Sequence, residues 1–496
     1  YIQLLNLLMM CIIPVPAYAL ANRKCKLVRR MLIVVSLSLF ICSLVYGLMI
    51  QRSVNKSNKE FVAYASSEDL SAEIPFSREG KNVVVIMLDR FVGAYVPFIM
   101  DEKPELMDKF AGFTFYPNTV SPGFYTNFGA PSLYGGYEYT PEAMNARDNM
   151  RLADKNDEAL RVMPVIFDKA GYEVNVADLP YIHYDEPGDP LFDDYSEIVY
   201  HEFSGNLPYS FDETSYRKTR ERRFIFYGLM KLAPATFQDE IYDKGKYLSG
   251  IRVMDCGGIA FYDAYTVLDQ LDELCYPVDE GNCFFMLCNN TPHETALLSL
   301  PNYEVTSPDS EALIAAALEK RTVGGRTICF DTNNIEYSMG SYHAAMITCI
   351  KLGEWFDTLR NFGVYDNTRI ILVADHGREL NHFEDLVMDN GVDAEGANAL
   401  LMVKDFGSDE FMVDNTFMTN ADTPALATEG IIEGTVVNPF TGNIINMDGK
   451  KNGILVLHSD IYDVSENNGN TFISSDNRWF RVKDNFADEE NWEELP

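Results

Sequence analysis

The chain has 496 residues, 47% of them hydrophobic, which is too apolar for wholesale disorder and too long for one small core. Its 74 acidic against 40 basic residues leave a formal net charge of -34. That balance excludes nucleic acid as a partner, because binding phosphate needs clustered Lys and Arg.

The amino terminus departs from globular composition. Residues 1–20 are almost wholly apolar and residues 31–50 form a second apolar run, each about twenty residues, enough for a bilayer core. Pro14 and Pro16 interrupt the first run, and kinks of that kind are tolerated in membrane helices. Between the runs stand Arg23, Lys24, Lys26, Arg29 and Arg30, a basic loop that the positive-inside rule puts in the cytoplasm. Two transmembrane helices over 1–50 are therefore expected, with everything after about residue 51 outside the membrane. The chain opens on Tyr1 inside an apolar run, so a fragment lacking earlier helices is expected, and the features of a cleavable signal peptide are missing.

Residues 51–80 are rich in Ser, Asn, Lys and Glu and read as a juxtamembrane linker. The first core strand follows at Asn82-Val83-Val84-Val85-Ile86-Met87-Leu88-Asp89, an apolar run that stops on a carboxylate. Residues 118–123 are turn-rich and lead into Tyr125-Thr126-Asn127-Phe128-Gly129-Ala130-Pro131-Ser132. A helix ends at Gly171, a strand follows over 172–177, and 183–250 read as an irregular, aromatic-rich insertion. Residues 284–287 form another strand, leading to Asn289-Asn290-Thr291-Pro292-His293. An amphipathic helix over 342–362 stops at Gly363 and feeds the strand Ile370-Ile371-Leu372-Val373-Ala374, which ends on Asp375-His376-Gly377. A helix starts at Asp422-Thr423-Pro424, and 431–496 read as a closing subdomain of short strands and turns.

Strand and helix alternation predicts an α/β fold, a mostly parallel sheet with helices on both faces, over an extracytoplasmic domain of residues 81–430. In such sheets ligands gather at the carboxyl ends of the strands. If the strands ending at Asp89 and Asp375 are neighbours, two carboxylates and the His376 imidazole meet, a donor set that suits Zn²⁺ or Mn²⁺, with Mg²⁺ a further option. A hydroxyl beside such a cation ionises more readily, and the loop offers Ser121, Thr126 and Ser132 as nucleophiles, which local spacing does not separate. Cys256, Cys275, Cys283, Cys288, Cys329 and Cys349 could pair in fifteen ways outside the membrane, and none of their spacings makes a zinc knuckle; all six are taken as structural.

The order Asp89, Thr126, Asp375-His376-Gly377 on alternating strands and helices resembles the alkaline phosphatase and sulfatase superfamily. With membrane helices in front it is most similar to lipoteichoic acid synthases and lipid A phosphoethanolamine transferases. Pro131, five residues after Thr126, and Gly363-Val364-Tyr365-Asp366-Asn367-Thr368 before the last strand are also similar to that group. The resemblance implies Thr126 as nucleophile, a metal held by Asp89, Thr126, Asp375 and His376, and His293 as a histidine on the substrate phosphate; His382, six residues past His376, could reach the site by folding back, and either histidine would suit the proton transfers. It further implies a phospholipid donor, a cell-envelope glycan or lipid acceptor, and a threonine-linked intermediate. Two departures stand out. Gly129 has no side chain to convert where sulfatases carry their modified Cys or Ser, which argues against formylglycine chemistry, and Asp89 stands where lipoteichoic acid synthases use Glu. Hydrolysis by water and a non-catalytic envelope scaffold are the alternatives. His343 is expected to be structural, and His183, His201 and His458 have no supporting context.

Overall fold

The computed structural model describes residues 18, 22, 25–65, 72–209, 225–231, 233, 235–242, 257–306, 308–473 and 476–496. The chain divides into two units, Tyr1–Leu70 with Pro208–Val253, and Ser71–Leu207 with Met254–Pro496.

In the first unit the main element is helix α1, Cys25–Ala65, 41 residues long. It contains the second apolar run and continues well into the stretch expected to be linker, where Lys, Glu and Ala favour a helix more than their polarity suggests. Among the described residues no helix is long and apolar enough to cross a membrane. The first expected span lies almost wholly outside the described residues.

The second unit is built on an eight-stranded sheet. Its strands in chain order are β1 (Asn82–Leu88), β2 (Phe113–Phe115), β3 (Glu173–Ala177), β4 (Ile198–His201), β5 (Cys283–Asn289), β6 (Thr368–Val373), β7 (Leu401–Lys404) and β8 (Met412–Val413). Across the sheet they run β8-β2-β7-β6-β1-β5-β3-β4. From β6 to β4 every pair is parallel, and β7 is antiparallel to both β6 and β2. The fold is thus mixed α/β around a mostly parallel sheet.

Every residue of β1, β5 and β6 is buried, the mark of central strands covered on both faces. Val83, Val85 and Met87 share one core with Ala130 and Leu133 of α2 (Thr126–Gly135) and Leu160, Met163 and Phe167 of α3 (Leu152–Lys169). The alternate residues Val84, Ile86 and Leu88 are equally buried on the opposite face. Helix α4, Ile335–Phe362, starts seven residues before the predicted helix and stops at Gly363, whose φ of +75° is the left-handed cap that a Cβ would strain.

The carboxyl-terminal residues form a small sheet, β9 (Ile454–His458), β10 (Arg478–Val482) and β11 (Trp492–Leu495), joined antiparallel. It is tied to the loop before α2, where Leu457 N donates to Pro122 O at 2.8 Å. Cys275, Cys283, Cys288, Cys329 and Cys349 are free thiols, and four of these five are buried. Cys256 lies outside the described residues.

Candidate active site

The parallel register pairs Ile370 with Val84 and Val373 with Met87. Carried two residues onward, it sets Asp375 opposite Asp89 at the carboxyl ends of adjacent strands. Asp89, Asp375 and His376 meet there, each offering a donor atom within 4.8 Å of the others, and all three are buried.

Each donor is held from behind. Asp375 Oδ1 accepts from the backbone N–H groups of Arg90 at 3.1 Å and His376 at 2.9 Å. His376 Nδ1 lies 2.7 Å from Gly377 O. A carbonyl only accepts, so Nδ1 carries the proton and Nε2 turns a bare lone pair toward Asp375 Oδ2, 3.5 Å away. Asp89 Oδ1 and Asp375 Oδ2 are buried without a hydrogen-bond partner among the described residues. Two orphaned carboxylate oxygens and an aimed imidazole nitrogen fit a divalent cation by donor type and by need, since an unpaired buried anion is costly.

The proton affinities agree. Burial raises the pKa of Asp89, and the Asp375 carboxylate adds to the rise against His293, His376 and Arg90. Burial likewise raises Asp375, opposed by the Arg90 N–H and the Thr126 hydroxyl. Burial and the Arg90 charge push His376 down to about 3, so it is neutral at physiological pH, the form in which imidazole binds metals.

Helix α2 delivers the hydroxyl. Thr126 is its first residue, after the extended Tyr125, and Thr126 Oγ1 lies 3.4 Å from His376 Nε2. The rival hydroxyls are spent elsewhere. Ser132 Oγ donates to Gly129 O at 2.8 Å, while Ser121 Oγ accepts from Gly123 N at 3.2 Å and from Asn420 Nδ2 at 3.5 Å. Gly129 explains how the helix comes so close: a Cβ there would stand 2.1 Å from Asp375 O. Asn420 locks this approach by donating from Nδ2 to Asp375 O at 2.7 Å and to Gly129 O at 3.3 Å.

His293 follows β5 and stands beside the cluster, its charge acting on both Asp89 and His376. Its Nδ1 pairs with Glu294 Oε1 at 2.9 Å, and Arg378 Nη2 donates to its carbonyl at 2.8 Å. His382 is a correction to the sequence reading. Its Nε2 faces Ser338 Oγ at 2.7 Å, and its Nδ1 faces Tyr95 Oη at 2.9 Å and Glu395 Oε1 at 3.2 Å. With both nitrogens engaged and the side chain fully buried, it braces a loop and has no free nitrogen for proton transfer. His343 is structural as expected, with Nδ1 accepting from Leu298 N at 3.1 Å.

Several groups around the cluster gave no sequence signal. Arg90 directly follows Asp89, and Asn420 comes from a region with no spacing relation to the motif. Tyr181 belongs to a loop in which Asp178, Tyr181, His183, Tyr184 and Asp185 all have positive φ, and its hydroxyl is within electrostatic reach of Asp89, Arg90 and Asp375. Tyr462, from the carboxyl-terminal part, stacks on Tyr125 with ring centroids 4.6 Å apart.

No protein-family model and no curated protein matches the sequence. Solved structures do. A lipoteichoic acid synthase, LtaP, from Listeria monocytogenes is similar over 85% of this chain and 86% of its own, at 11% identity and a TM-score of 0.39. The carboxyl-terminal periplasmic domain of EcEptC from Escherichia coli is similar over 82% and 96%, at 10% identity and a TM-score of 0.38. A phosphonate monoester hydrolase of Agrobacterium radiobacter is similar over 84% and 88%, at 13% identity and a TM-score of 0.39.

Proposed function

We propose that the chain is a membrane-anchored, metal-dependent phosphotransferase that moves a phosphoryl-linked head group, such as glycerophosphate or phosphoethanolamine, from a phospholipid to a cell-envelope acceptor. The observation that carries this reading is the convergence of Asp89, Asp375 and His376 beside Thr126, with two carboxylate oxygens left unsatisfied.

Asp89, Asp375, His376 and Thr126 would hold the cation, Mn²⁺ or Zn²⁺ by donor type, with Mg²⁺ a weaker match to an imidazole. When bound, it supplies positive charge that eases ionisation of a neighbouring hydroxyl and draws electrons from phosphorus. Thr126 Oγ1 attacks phosphorus in line, the bond to the diacylglycerol oxygen breaks, and the group rests on Thr126 as an ester. An acceptor hydroxyl then attacks the same phosphorus, and Thr126 Oγ1 leaves. His293, partly exposed beside the cluster, gives a proton to the departing lipid oxygen and takes one from the acceptor hydroxyl.

The membrane part rests on α1. Met31, Leu32, Ile33, Val34 and Val35 are all more than half exposed, so more than a full turn of the helix is apolar and uncovered among the described residues. Lys26, Arg29 and Arg30, which the sequence reading put in a loop, lie in the first turns of α1; that basic end would face the cytoplasm, and the residues after the helix would lie outside, where lipid-borne donors are found.

The experiment is incubation of the full chain with Mn²⁺ and phospholipid labelled in its head-group phosphate, followed by peptide mass spectrometry and analysis of the product. Phosphoryl-linked mass on Thr126 and label on a glycan or lipid acceptor are expected. Label released only to water would make the protein a hydrolase, and no adduct and no turnover would make it a scaffold.

A further inference from the structure

Arg90 holds a strained backbone conformation next to Asp89. Its φ of +59° lies in the left-handed region, which strains an L side chain and which glycine would occupy freely. The strain is held in place by the site itself, because Arg90 N–H is one of the donors that fix Asp375 Oδ1. An N–H could be supplied by any residue but proline, so the turn does not explain the guanidinium.

The side chain is equally unusual. Arg90 Nε is buried with no hydrogen-bond partner among the described residues. Its charge lowers the proton affinity of Asp89, Asp375 and His376 and opposes that of Arg378, so it stands within electrostatic reach of all four. Arg378, the other guanidinium nearby, is committed: Nη1 donates to Ser341 Oγ at 2.7 Å and Nη2 to His293 O. A divalent cation held by Asp89 and Asp375 would answer the charge of both carboxylates, so that Arg90 would remain as positive charge at the site.

We propose that the Arg90 guanidinium binds the substrate directly, with its planar fork on the anionic non-bridging oxygens of the phosphoryl group that Thr126 attacks. This rests on the phosphotransfer reading and names the residue that recognises the anion. The ligand it selects is a phosphoryl group with at least one ionised oxygen, which two parallel N–H bonds match in geometry and charge. The strained φ is the cost of aiming a long cation from the residue next to a metal ligand.

Calorimetric titration of the full chain, first with Mn²⁺ and then with inorganic phosphate, tests this in wild type, Arg90→Lys and Arg90→Gly. Glycine suits the backbone at φ +59°, so that variant keeps the turn and the N–H. Arg90→Gly should bind Mn²⁺ at least as tightly as wild type, since a neighbouring positive charge is gone, while phosphate affinity falls about ten- to a hundredfold. Arg90→Lys should fall between, keeping the charge without the fork. Wild-type phosphate affinity in Arg90→Gly overturns the assignment and leaves the phosphotransfer reading standing. Loss of Mn²⁺ together with phosphate in Arg90→Gly overturns it too, because Arg90 would then only organise the carboxylates. A wild-type chain that takes up Mn²⁺ but no phosphate overturns both readings.

Discussion

Two buried clusters in this protein each set a histidine among oxygen atoms, and they differ in whether those atoms are satisfied. Around His382, Glu395 Oε2 accepts from His382 N at 3.0 Å, Oε1 accepts from Tyr95 at 3.3 Å, and Ser338 closes the ring on the other side. Around His376, Asp89 Oδ1 and Asp375 Oδ2 are buried with no hydrogen-bond partner among the described residues. A satisfied cluster stabilises a fold, whereas an unsatisfied one stores a demand for charge that a cation can meet. Both histidines are fully buried and within seven residues of each other, so what separates the two clusters is the remaining valence of the neighbours.

That contrast breaks first at Thr126. Thr126→Ala should lower turnover of a labelled phospholipid by about a thousandfold or more, with the melting temperature within a few degrees of wild type. A variant that keeps a tenth of the activity would remove Thr126 from the chemistry. The satisfied cluster should behave oppositely. Glu395→Ala leaves Tyr95 and His382 without their acceptor, so chemical denaturation should show a loss of about 3 kcal/mol while Mn²⁺ affinity per folded chain is unchanged. Gly129→Ala joins the two behaviours, because its Cβ would strike Asp375 O. A loss of about 2 kcal/mol is expected, together with a fall in turnover of at least tenfold as α2 is pushed off the strand.

The smallest effect concerns pH. His343 is buried with no partner for Nε2 among the described residues, and burial pushes its pKa down to about 3. Between about 3 and the ordinary value near 6.5 the unfolded chain binds this proton and the native chain does not, so stability falls as pH drops through that window. The contribution is about 1.4 kcal/mol per pH unit. His343→Asn, which can still accept from Leu298 N, should flatten the acid limb of the stability curve by that slope. An unchanged limb would mean the native protein protonates His343 freely.

The sheet was legible wherever its strands are central. Unbroken apolar runs ending at Asp89 and Asp375 announce buried parallel strands and the place where ligands collect. Strand β7 was hidden because it carries Lys404, a charge no core strand is expected to hold. Its Nζ donates to Thr368 O at 3.0 Å and to Tyr365 O, and lies over the Tyr365 ring, which is why burial is tolerated. Sequence alone left Ser121, Thr126 and Ser132 open as nucleophiles, and their hydrogen bonds distinguish them, through Asn420 some three hundred residues away. His382 misled for the same reason, since nearness in sequence to His376 says nothing about Tyr95, Ser338 and Glu395. Arg90 could be read as adjacent to a ligand, but its positive φ and its unpartnered Nε exist only in the folded chain.

The most direct measurement is a Mn²⁺ titration of wild type and Asp375→Asn, with Glu395→Ala as the fold-only comparison. One tightly held ion per wild-type chain, weakened at least a hundredfold in Asp375→Asn and unchanged in folded Glu395→Ala, is the predicted result. A wild-type chain that takes up no divalent cation, or an Asp375→Asn variant that binds Mn²⁺ as tightly as wild type, would contradict the account.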